Sequence, residues 1–396
     1  MYIKKLELNN FKGISEMEVK PKKINLIVGR NNTGKTTLIE SINLANNIPE
    51  INRHYKGYLS KLININSEKA SITIATEENK KIKLEFKKPS IQNVGIDFKR
   101  KLINAFKEYL TKVEKRKLTK ELENYLEKVL NNILTPKILL DLSQNCIFII
   151  INGKKKIYYP VHFLRQNESI ENGISENITN KLNKKFNSYF DSFMLQLFIA
   201  EQYKPDIKTN NKSKKVIFIK NPKSEINLKG EEGETTKIYK IENIIKEYKL
   251  IKNLKRFSFE YLSFEDSPEI PYDFMGDGFK QLVGILWCLS DVKDKVVLIE
   301  EPETNMHPGY IGQLMKFILE LSEKMNIQFF ITTHNIDSIE SFFNEEILSK
   351  KEKKYLEKEF SILRLEKIKN HIILNEMSYK KAKEDRKDLL MDLRGI

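Results

Sequence analysis

VGRNNTGKTT, residues 28–37, has two glycines, a lysine and a threonine in the GxxxxGK[ST] order of a phosphate-binding loop. The apolar run at 24–28 before it predicts a buried strand, and residues 37–45 after it have the apolar spacing of a helix. The motif requires this order of strand, loop and helix. The sequence therefore predicts a nucleotide phosphate site between a strand and a helix.

Each residue type in this loop has a physical role in holding phosphate. Gly29 and Gly34 let the backbone turn tightly, so that its N–H groups and the positive end of the following helix face phosphate oxygens. Lys35 is expected to reach the β- and γ-phosphates, and Thr36 to bind Mg²⁺ through its hydroxyl. We expect the nucleotide to be lined by Gly29, Arg30, Asn31, Asn32, Thr33, Gly34, Lys35, Thr36 and Thr37.

Length and composition indicate a large globular protein. The 396 residues are enough for two or three structural units. The longest apolar run, near Cys146, is too short to cross a membrane, and the N-terminus lacks the apolar core of a secretory signal, so we expect a cytoplasmic protein. Cys146 and Cys288 have no partner at metal-ligand spacing, which favours buried reduced thiols.

The net charge is strongly positive, at +15 from 69 Lys+Arg and 54 Asp+Glu. Such a balance favours contact with a polyanion such as DNA or RNA. An excess of lysine also accompanies AT-rich coding and heat-adapted proteomes, so composition leaves the partner open.

Apolar patterning divides the chain into four predicted parts. Alternating residues predict short antiparallel strands in an N-terminal lobe, 1–96. Helical spacing from Phe98 to Leu134 predicts an inserted helical arm, 97–135, with a break near Arg116 that would fold it into a hairpin. Residues 136–255 would complete the lobe and form a helical linker region, with strands at 146–151 and 157–163, and residues 256–396 would form a C-terminal lobe.

The arm carries two groups of basic residues, at 99–101 and 112–117. They could contact the phosphates of a nucleic acid, but a charge run is more often a solvated face. Beyond the arm, residues 361–374 have the pattern of the last strands of the fold, and the tail from 379 to 393 that of a charged helix.

A second half of the nucleotide site is predicted where an apolar strand, 296–299, ends in carboxylates. Such a strand can place its carboxyl end beside the phosphate loop, where Mg²⁺ needs oxygen ligands. We expect Glu300 to bind Mg²⁺, directly or through water, and Glu301 to orient and deprotonate the water that attacks the γ-phosphate. The other interpretation is a strand followed by an acidic surface turn.

A further buried strand, from Ile327 to Thr333, ends in His334. Its imidazole is expected to face the γ-phosphate as a hydrogen-bonding switch, although a lone histidine is more often structural. The functional interpretation of His334 therefore depends on the spacing of these motifs.

The order of phosphate loop, glycine-containing segment, acidic strand end and histidine resembles the ABC-type ATPases of the RecF/SMC superfamily. The match covers roughly residues 1–50 and 257–340. Within that group, MGDGFK at 275–280 and EEPETNMHP at 300–308 are most similar to the overcoming-lysogenization-defect (OLD) family and related anti-phage ATPases. The resemblance implies an α/β, two-lobed ABC-type P-loop ATPase that uses ATP and Mg²⁺, with a small antiparallel β-layer and an inserted helical arm.

In such ATPases two subunits sandwich two ATP molecules, each between one phosphate loop and the partner's signature segment. The resemblance places Gly276, Asp277 and Gly278 in that segment, where Gly276 replaces the usual serine and leaves only backbone donors. Asp277 would repel phosphate, so we expect it to cap the following helix. The family's Mg²⁺-contacting glutamine is assigned, by position alone, to Gln166.

The resemblance implies a homodimer or higher homo-oligomer. OLD proteins carry a Toprim nuclease after the ATPase, and the roughly 60 residues after His334 are too few for one. We therefore expect an ATPase of anti-phage defence with a separate nuclease or toxin partner, with DNA as a candidate ligand and no membrane contact. Two alternatives are a RecF-like DNA-repair clamp, which usually has Ser-Gly-Gly-Gln in the signature, and a sensor or scaffold with little turnover, which would not need Glu301.

Overall fold

The structure is a computed structural model that describes residues 2–47, 59–145, 147–152, 154–158, 168–186, 190–191, 194–195, 198–199, 215–220, 222, 234–265, 267–344, 348–369 and 371–388. The strands are β1 (Ile3–Phe11), β2 (Ile14–Val19), β3 (Ile24–Val28), β4 (Lys69–Thr76), β5 (Lys81–Lys87), β6 (Ile147–Ile151), β7 (Lys154–Tyr158), β8 (Val216–Ile219), β9 (Leu254–Phe257), β10 (Tyr261–Phe264), β11 (Ile270–Pro271), β12 (Val296–Glu300), β13 (Gln328–Thr332), β14 (Phe360–Ile368) and β15 (His371–Ser378). The helices are α1 (Lys35–Asn46), α2 (Ile91–Lys112), α3 (Lys120–Ile133), α4 (Pro136–Asn145), α5 (Glu168–Phe186), α6 (Glu234–Glu247), α7 (Asp277–Leu289), α8 (Pro308–Lys324), α9 (Ile336–Ser341), α10 (Lys350–Glu359) and α11 (Tyr379–Asp388).

The sheet that carries the phosphate loop has the order β15-β14-β3-β13-β12-β8. All neighbouring strands in it run parallel except β15, which is antiparallel to β14. Its central strands are covered on both faces, which is why β3 and β13 are buried at every position instead of alternating. The predicted buried strands before the phosphate loop, before Glu301 and before His334 are therefore confirmed.

Successive residues of β12 face opposite sides of this sheet. Val296 and Leu298 pack in one hydrophobic cluster with Leu38 and Ile42 of α1. Val297 and Ile299 belong to a second cluster, which contains the apolar residues of α7 and α8. The helix that follows the phosphate loop and the helix that follows Gly276 thus pack on opposite faces of the sheet.

The second large sheet is antiparallel, with the order β2-β1-β4-β5-β6-β7. Its apolar residues join α1 in one cluster, so α1 lies between the two sheets. This confirms the predicted β-layer. β7 starts at Lys154, earlier than the predicted Ile157, because a run of three lysines conceals its beginning; residues 159–163 lie outside the described ranges.

Buried amide side chains join the two sheets. Gln328, the first residue of β13, accepts from the Ile3 backbone N–H at 2.8 Å and donates to the Ile3 carbonyl at 3.0 Å and the Lys22 carbonyl at 2.9 Å. Asn25 on β3 donates to the Lys22 carbonyl at 2.7 Å and the Phe329 carbonyl at 2.9 Å. The Gln328 bonds to Ile3 tie the first strand of the antiparallel sheet to the centre of the parallel sheet, and the Asn25 bond to the Phe329 carbonyl joins β3 to β13 within the parallel sheet.

The predicted arm is a hairpin of α2 and α3, broken between Val113 and Thr119 as the sequence indicates. α2 starts at Ile91, before the predicted Phe98, because the Ser90 hydroxyl caps it by accepting from the Asn93 N–H at 3.3 Å. The arm's core also includes residues of α5 and Phe190. The division of the chain at 96, 135 and 255 stays a prediction. Residues from different predicted segments pack together in the same hydrophobic clusters.

Several basic residues of the arm have acidic or aromatic neighbours. Lys112 lies 3.4 Å from a carboxylate oxygen of Glu108, and Arg116 lies 2.9 Å from one of Glu114. Arg100 pairs with Asp97. Acidic side chains of the arm itself therefore balance part of its positive charge, without a nucleic acid.

Three further sequence predictions have an outcome in the fold. Residues 361–374 do form strands, within β14 and β15, and the charged tail is helical in α11 as far as Asp388. Cys288 is partly buried, whereas Cys146 lies outside the described ranges. Within the part of the chain that the structure describes, no helix combines the length and the apolar character needed to cross a membrane.

Candidate functional site

The phosphate loop leaves β3 in a conformation that only glycine accepts readily. Gly29 has φ +148°, and a Cβ there would lie 2.3 Å from the Leu365 carbonyl oxygen and 2.7 Å from Thr33 Oγ1. Gly34, with φ +96°, occupies the position just before α1. The two glycines therefore let the loop from β3 to α1 turn tightly where it passes close to β14, as the motif requires.

The nine predicted loop residues are contiguous at the start of α1, and their exposure differs. Arg30, Asn31 and Asn32 are exposed, whereas Thr33 is buried and donates to the Arg30 carbonyl at 2.8 Å. α1 begins at Lys35, so the N–H groups of its first turn, including those of Thr36 and Thr37, point out of the helix end. The loop and helix end form the anion-binding arrangement that the sequence predicts.

Lys35 is nearly buried and is held by the loop itself. Its Nζ donates to the Gly29 carbonyl at 2.7 Å and to the Arg30 carbonyl at 3.0 Å. Burial lowers the pKa of Lys35, and the nearby carboxylates of Glu301 and Glu303 partly oppose that shift. The ammonium is therefore held by the loop and largely shielded from water.

Thr36 and Glu300 meet although 264 positions separate them in sequence. The Thr36 hydroxyl donates to Glu300 Oε1 at 2.6 Å, and Glu300 Oε2 is buried without a hydrogen-bond donor among the described residues. A hydroxyl beside a carboxylate with an unsatisfied oxygen suits Mg²⁺, which takes oxygen ligands. Among the described residues, no group of three His, Cys, Asp or Glu side chains is placed to hold a metal ion.

Glu301 and His334 form a pair at the carboxyl ends of β12 and β13. His334 Nδ1 lies 3.1 Å from Glu301 Oε1, and both side chains are accessible to solvent. Glu301 has φ +45°, and its N–H donates to the Thr332 carbonyl at 3.1 Å, so the chain turns sharply where the strand ends.

Glu303 is a site residue to which the sequence interpretation gave no role. It is only 4% exposed and accepts a hydrogen bond from the hydroxyl of Thr333, the residue before His334. Thr333 in turn donates its N–H to the Ile27 carbonyl of β3 at 3.1 Å. Glu303 therefore links the acidic turn to the histidine strand and to the strand of the phosphate loop; its place in the run EEPE was the only sequence signal.

We expect Glu303→Gln to change how stability depends on pH. Burial raises the pKa of Glu303 above its usual 4.5, although the Thr333 hydrogen bond opposes the shift. The folded protein therefore binds this proton more tightly than the unfolded chain, and the stabilisation is lost as pH rises through the folded-state pKa. Glutamine does not titrate and still accepts from Thr333.

Urea unfolding of both proteins between pH 4.5 and pH 8 measures this effect. The free energy of unfolding of Glu303→Gln, relative to the wild type, should rise with pH. Glu323→Gln, at a partly exposed acid on α8, is the control. A difference that stays constant over this range would contradict a raised pKa at Glu303.

The signature segment differs from the prediction at one residue. Gly276, with φ −61° and ψ 151°, occupies the N-cap position of α7, and Asp277 is the first helical residue. The expectation that Asp277 caps the helix is wrong, because the extended backbone required of a cap falls one residue earlier; its charge still favours the positive end of the helix. A Cβ at Gly278 would lie 2.4 Å from the Asn305 carbonyl oxygen, so α7 starts close against the loop after Glu303.

Gln166 lies outside the described residues, so its predicted Mg²⁺ contact stays a prediction. The structure instead brings a lysine that the sequence interpretation missed to this site. Lys220 follows β8, and its Nζ lies 3.4 Å from Glu300 Oε2.

A phosphate loop between β3 and α1, an acidic end on β12 and a histidine after β13 together form the nucleotide site of a P-loop ATPase. The family model for the AAA ATPase domain matches residues 1–339, and the chain belongs to this family. It is therefore an enzyme that binds and hydrolyses ATP, as predicted.

Two curated proteins are similar to parts of the chain. An energy-coupling factor transporter ATP-binding protein of Clostridium perfringens is 31% identical over 86 residues, which are 22% of this chain and 28% of that protein. The match thus spans less than a third of the transporter protein's length. An uncharacterized protein of Methanocaldococcus jannaschii is 27% identical over 121 residues, 31% of this chain and 100% of its own length.

A solved structure extends the comparison to almost the whole chain. The SMC head bound to the C-winged-helix domain of ScpA has a TM-score of 0.51 at 11% sequence identity, and the alignment covers 97% of this chain and 100% of that one. At this identity the likeness shows a shared fold. The predicted α/β ABC-type architecture is confirmed.

Proposed function

We propose that this ATPase is a nucleotide-driven switch in which ATP joins two copies of the chain and hydrolysis separates them. Each ATP would be held by the phosphate loop of one copy and covered by residues 276–278 of the other. Mg²⁺ would be bound by Thr36 and Glu300, where it neutralises charge on the phosphates. Glu301 would orient and deprotonate the attacking water, and His334 would face the terminal phosphate.

The open surroundings of Gly276 are the observation that carries this proposal. A Cβ at Gly276 would meet no atom within 4 Å, whereas one at Gly278 would collide with the backbone of Asn305. Phe274, two residues before Gly276, is 80% exposed. The start of α7 therefore offers backbone N–H groups on an open surface, as a contact to a second molecule needs.

The position of α7 also supports a contact between copies. Its apolar residues pack on the face of the central sheet opposite to α1. The starts of α1 and α7 thus approach the sheet from opposite faces. Two copies facing each other could bring the helix start of one to the phosphate loop of the other.

A bulky residue at Gly276 tests the sandwich. Gly276→Trp should leave folding and ATP binding by the single chain unchanged, because the space around residue 276 is open within the chain. It should abolish ATP-dependent dimerisation, measured by sedimentation velocity with ATP and Mg²⁺ in a Glu301→Gln background that retains the nucleotide.

Gly276→Ser is the matched control, since it restores the residue usual in the family and should dimerise. Tryptophan and serine variants that dimerise equally well with ATP would refute the sandwich. If the association state of the Glu301→Gln protein were the same with and without ATP, the switch would be refuted and a sensor or scaffold would be favoured.

We further propose that the switch acts in defence against phage or other foreign DNA, as an OLD-related ATPase with a separate nuclease or toxin partner. The support is the form of MGDGFK at 275–280 and EEPE at 300–303, which resembles that family more than RecF. DNA remains a candidate ligand, and Lys115 and Lys117 on the arm's turn are the residues to neutralise when DNA binding is measured against salt concentration.

Deletion of the gene, with complementation by wild type or Glu301→Gln, separates defence from repair. Loss of phage resistance that only the wild type restores, with unchanged survival after DNA damage, would support defence. Sensitivity to DNA damage with normal phage resistance would overturn it in favour of a RecF-like clamp.

A further inference from the structure

β8 places a lysine at the metal end of the nucleotide site. The strand pairs in parallel with β12, with Ile219 opposite Ile299, so the next residue on each strand is Lys220 on one and Glu300 on the other. Because parallel strands end at the same edge of a sheet, Lys220 emerges at the edge where the phosphate loop and Glu301 also lie. Its position depends on strand order and has no local sequence signature.

The lysine faces the one oxygen of Glu300 that lacks a hydrogen-bond donor among the described residues. Oε1 of Glu300 accepts from Thr36, while Oε2 lies 3.4 Å from Lys220 Nζ. The Glu300 side chain is 15% exposed and that of Lys220 is 50% exposed. The ammonium thus stands between a buried carboxylate and the solvent, close enough for charge attraction but without a hydrogen bond to Oε2.

The chain just after Lys220 is packed closely against the signature helix. A Cβ added to Gly284, in the middle of α7, would lie 2.5 Å from the Pro222 carbonyl oxygen and 2.6 Å from its carbonyl carbon. On its other side, Lys220 follows a strand fixed in the sheet by backbone pairing. Lys220 therefore stands between a strand paired in the sheet and a proline packed against α7.

A buried carboxylate without a counter-charge is costly, so a nearby cation stabilises the site before nucleotide binds. A divalent ion at Glu300 would repel the ammonium, whereas the triphosphate of ATP carries more negative charge than one carboxylate and attracts it. A lysine side chain is a flexible point charge and can move between such partners.

We propose that Lys220 is a resident cation of the ATP site: it neutralises Glu300 before nucleotide binds and then contacts the terminal phosphate of ATP. In this position it distinguishes ATP from ADP, because ADP lacks that phosphate. It also stabilises charge on the terminal phosphoryl group during hydrolysis. The inference concerns binding by one chain and does not depend on dimerisation.

Nucleotide binding without metal tests this role. ATP and ADP are titrated in EDTA against wild type, Lys220→Met and Lys220→Arg, with binding followed by calorimetry. Lys220→Met should lose about tenfold in ATP affinity, the effect of one charge-assisted contact, and less than threefold in ADP affinity. Lys220→Arg keeps the charge and should stay within about threefold of the wild type for both.

Lys215 provides a matched control at the opposite end of β8. It is an exposed lysine five residues earlier, about 16 Å away along a strand. Lys215→Met should bind ATP and ADP as the wild type does. Thermal unfolding of all variants shows whether each is folded under the binding conditions.

Magnesium dependence gives a second readout. Removing a cation beside Glu300 should lower the Mg²⁺ concentration needed for half-maximal stimulation of ATP binding by Lys220→Met. Unchanged ATP affinity, or equal losses for ATP and ADP in EDTA, would overturn the proposal, since Lys220 would then only balance charge at the sheet edge.

Discussion

Glu301→Gln is expected to lower the rate of ATP hydrolysis by about 10²–10⁴-fold while ATP stays bound. The Glu301 carboxylate stands at the end of β12 beside His334, with a sharp backbone turn that points it away from the strand. Glutamine has the same shape and tolerates the same backbone, but it cannot accept a proton from water. Single-turnover phosphate release measures the rate, and equilibrium dialysis measures bound ATP.

Glu357→Gln, at an exposed acid on α10, makes the same chemical change far from the turn after β12 and should hydrolyse ATP at the wild-type rate. Glu301→Gln with hydrolysis within about threefold of the wild type would remove Glu301 from the role of general base. A parallel loss of ATP binding would mean that Glu301 supports the site as a whole.

Lys35→Met is expected to weaken ATP binding by about 10–100-fold and to leave folding stability almost unchanged. A hydrogen bond to a charged group contributes about 1.5–3 kcal/mol, and the ammonium is already aligned on the loop. Stability should change by less than about 1–2 kcal/mol because two effects oppose each other. Removing a buried cation is favourable, since burial lowers the pKa of Lys35, but the Gly29 and Arg30 carbonyls lose their donor.

Calorimetric titration with ATP and urea unfolding of the same preparation separate these two quantities. Lys293→Met, at an exposed lysine in the turn before β12, should match the wild type in both. If Lys35→Met unfolded with a large loss of stability, the lysine would be mainly a structural part of the loop. Unchanged affinity would exclude it from phosphate binding.

Much of the site could be predicted because local sequence motifs mark its residues. The phosphate loop has a fixed order of residue types, and apolar strands that end in Glu300 and His334 place their side chains at one sheet edge. Thr36 and Glu300, both predicted as Mg²⁺ ligands, lie together as a hydrogen-bonded pair although they are far apart in sequence.

The missed features depend on tertiary contacts that a linear pattern does not carry. Lys220 reaches Glu300 only because β8 lies next to β12 in the sheet, and Glu303 gains its role from burial beside Thr333. The start of α7 was misplaced by one residue because aspartate is a common cap, while the backbone puts Gly276 there. α2 begins earlier than the sequence pattern indicates because the Ser90 hydroxyl caps it.

The side-chain amide of Gln328 links the N-terminal strand to β13, the strand that leads to His334. It imitates a neighbouring peptide group, holding both backbone groups of Ile3 from the first residue of the strand that leads to His334. Any shift of that strand on loss of a phosphate would pull the whole antiparallel sheet with it. The shift would then be transmitted through the protein interior, so substitutions on the outer surface should have little effect on it.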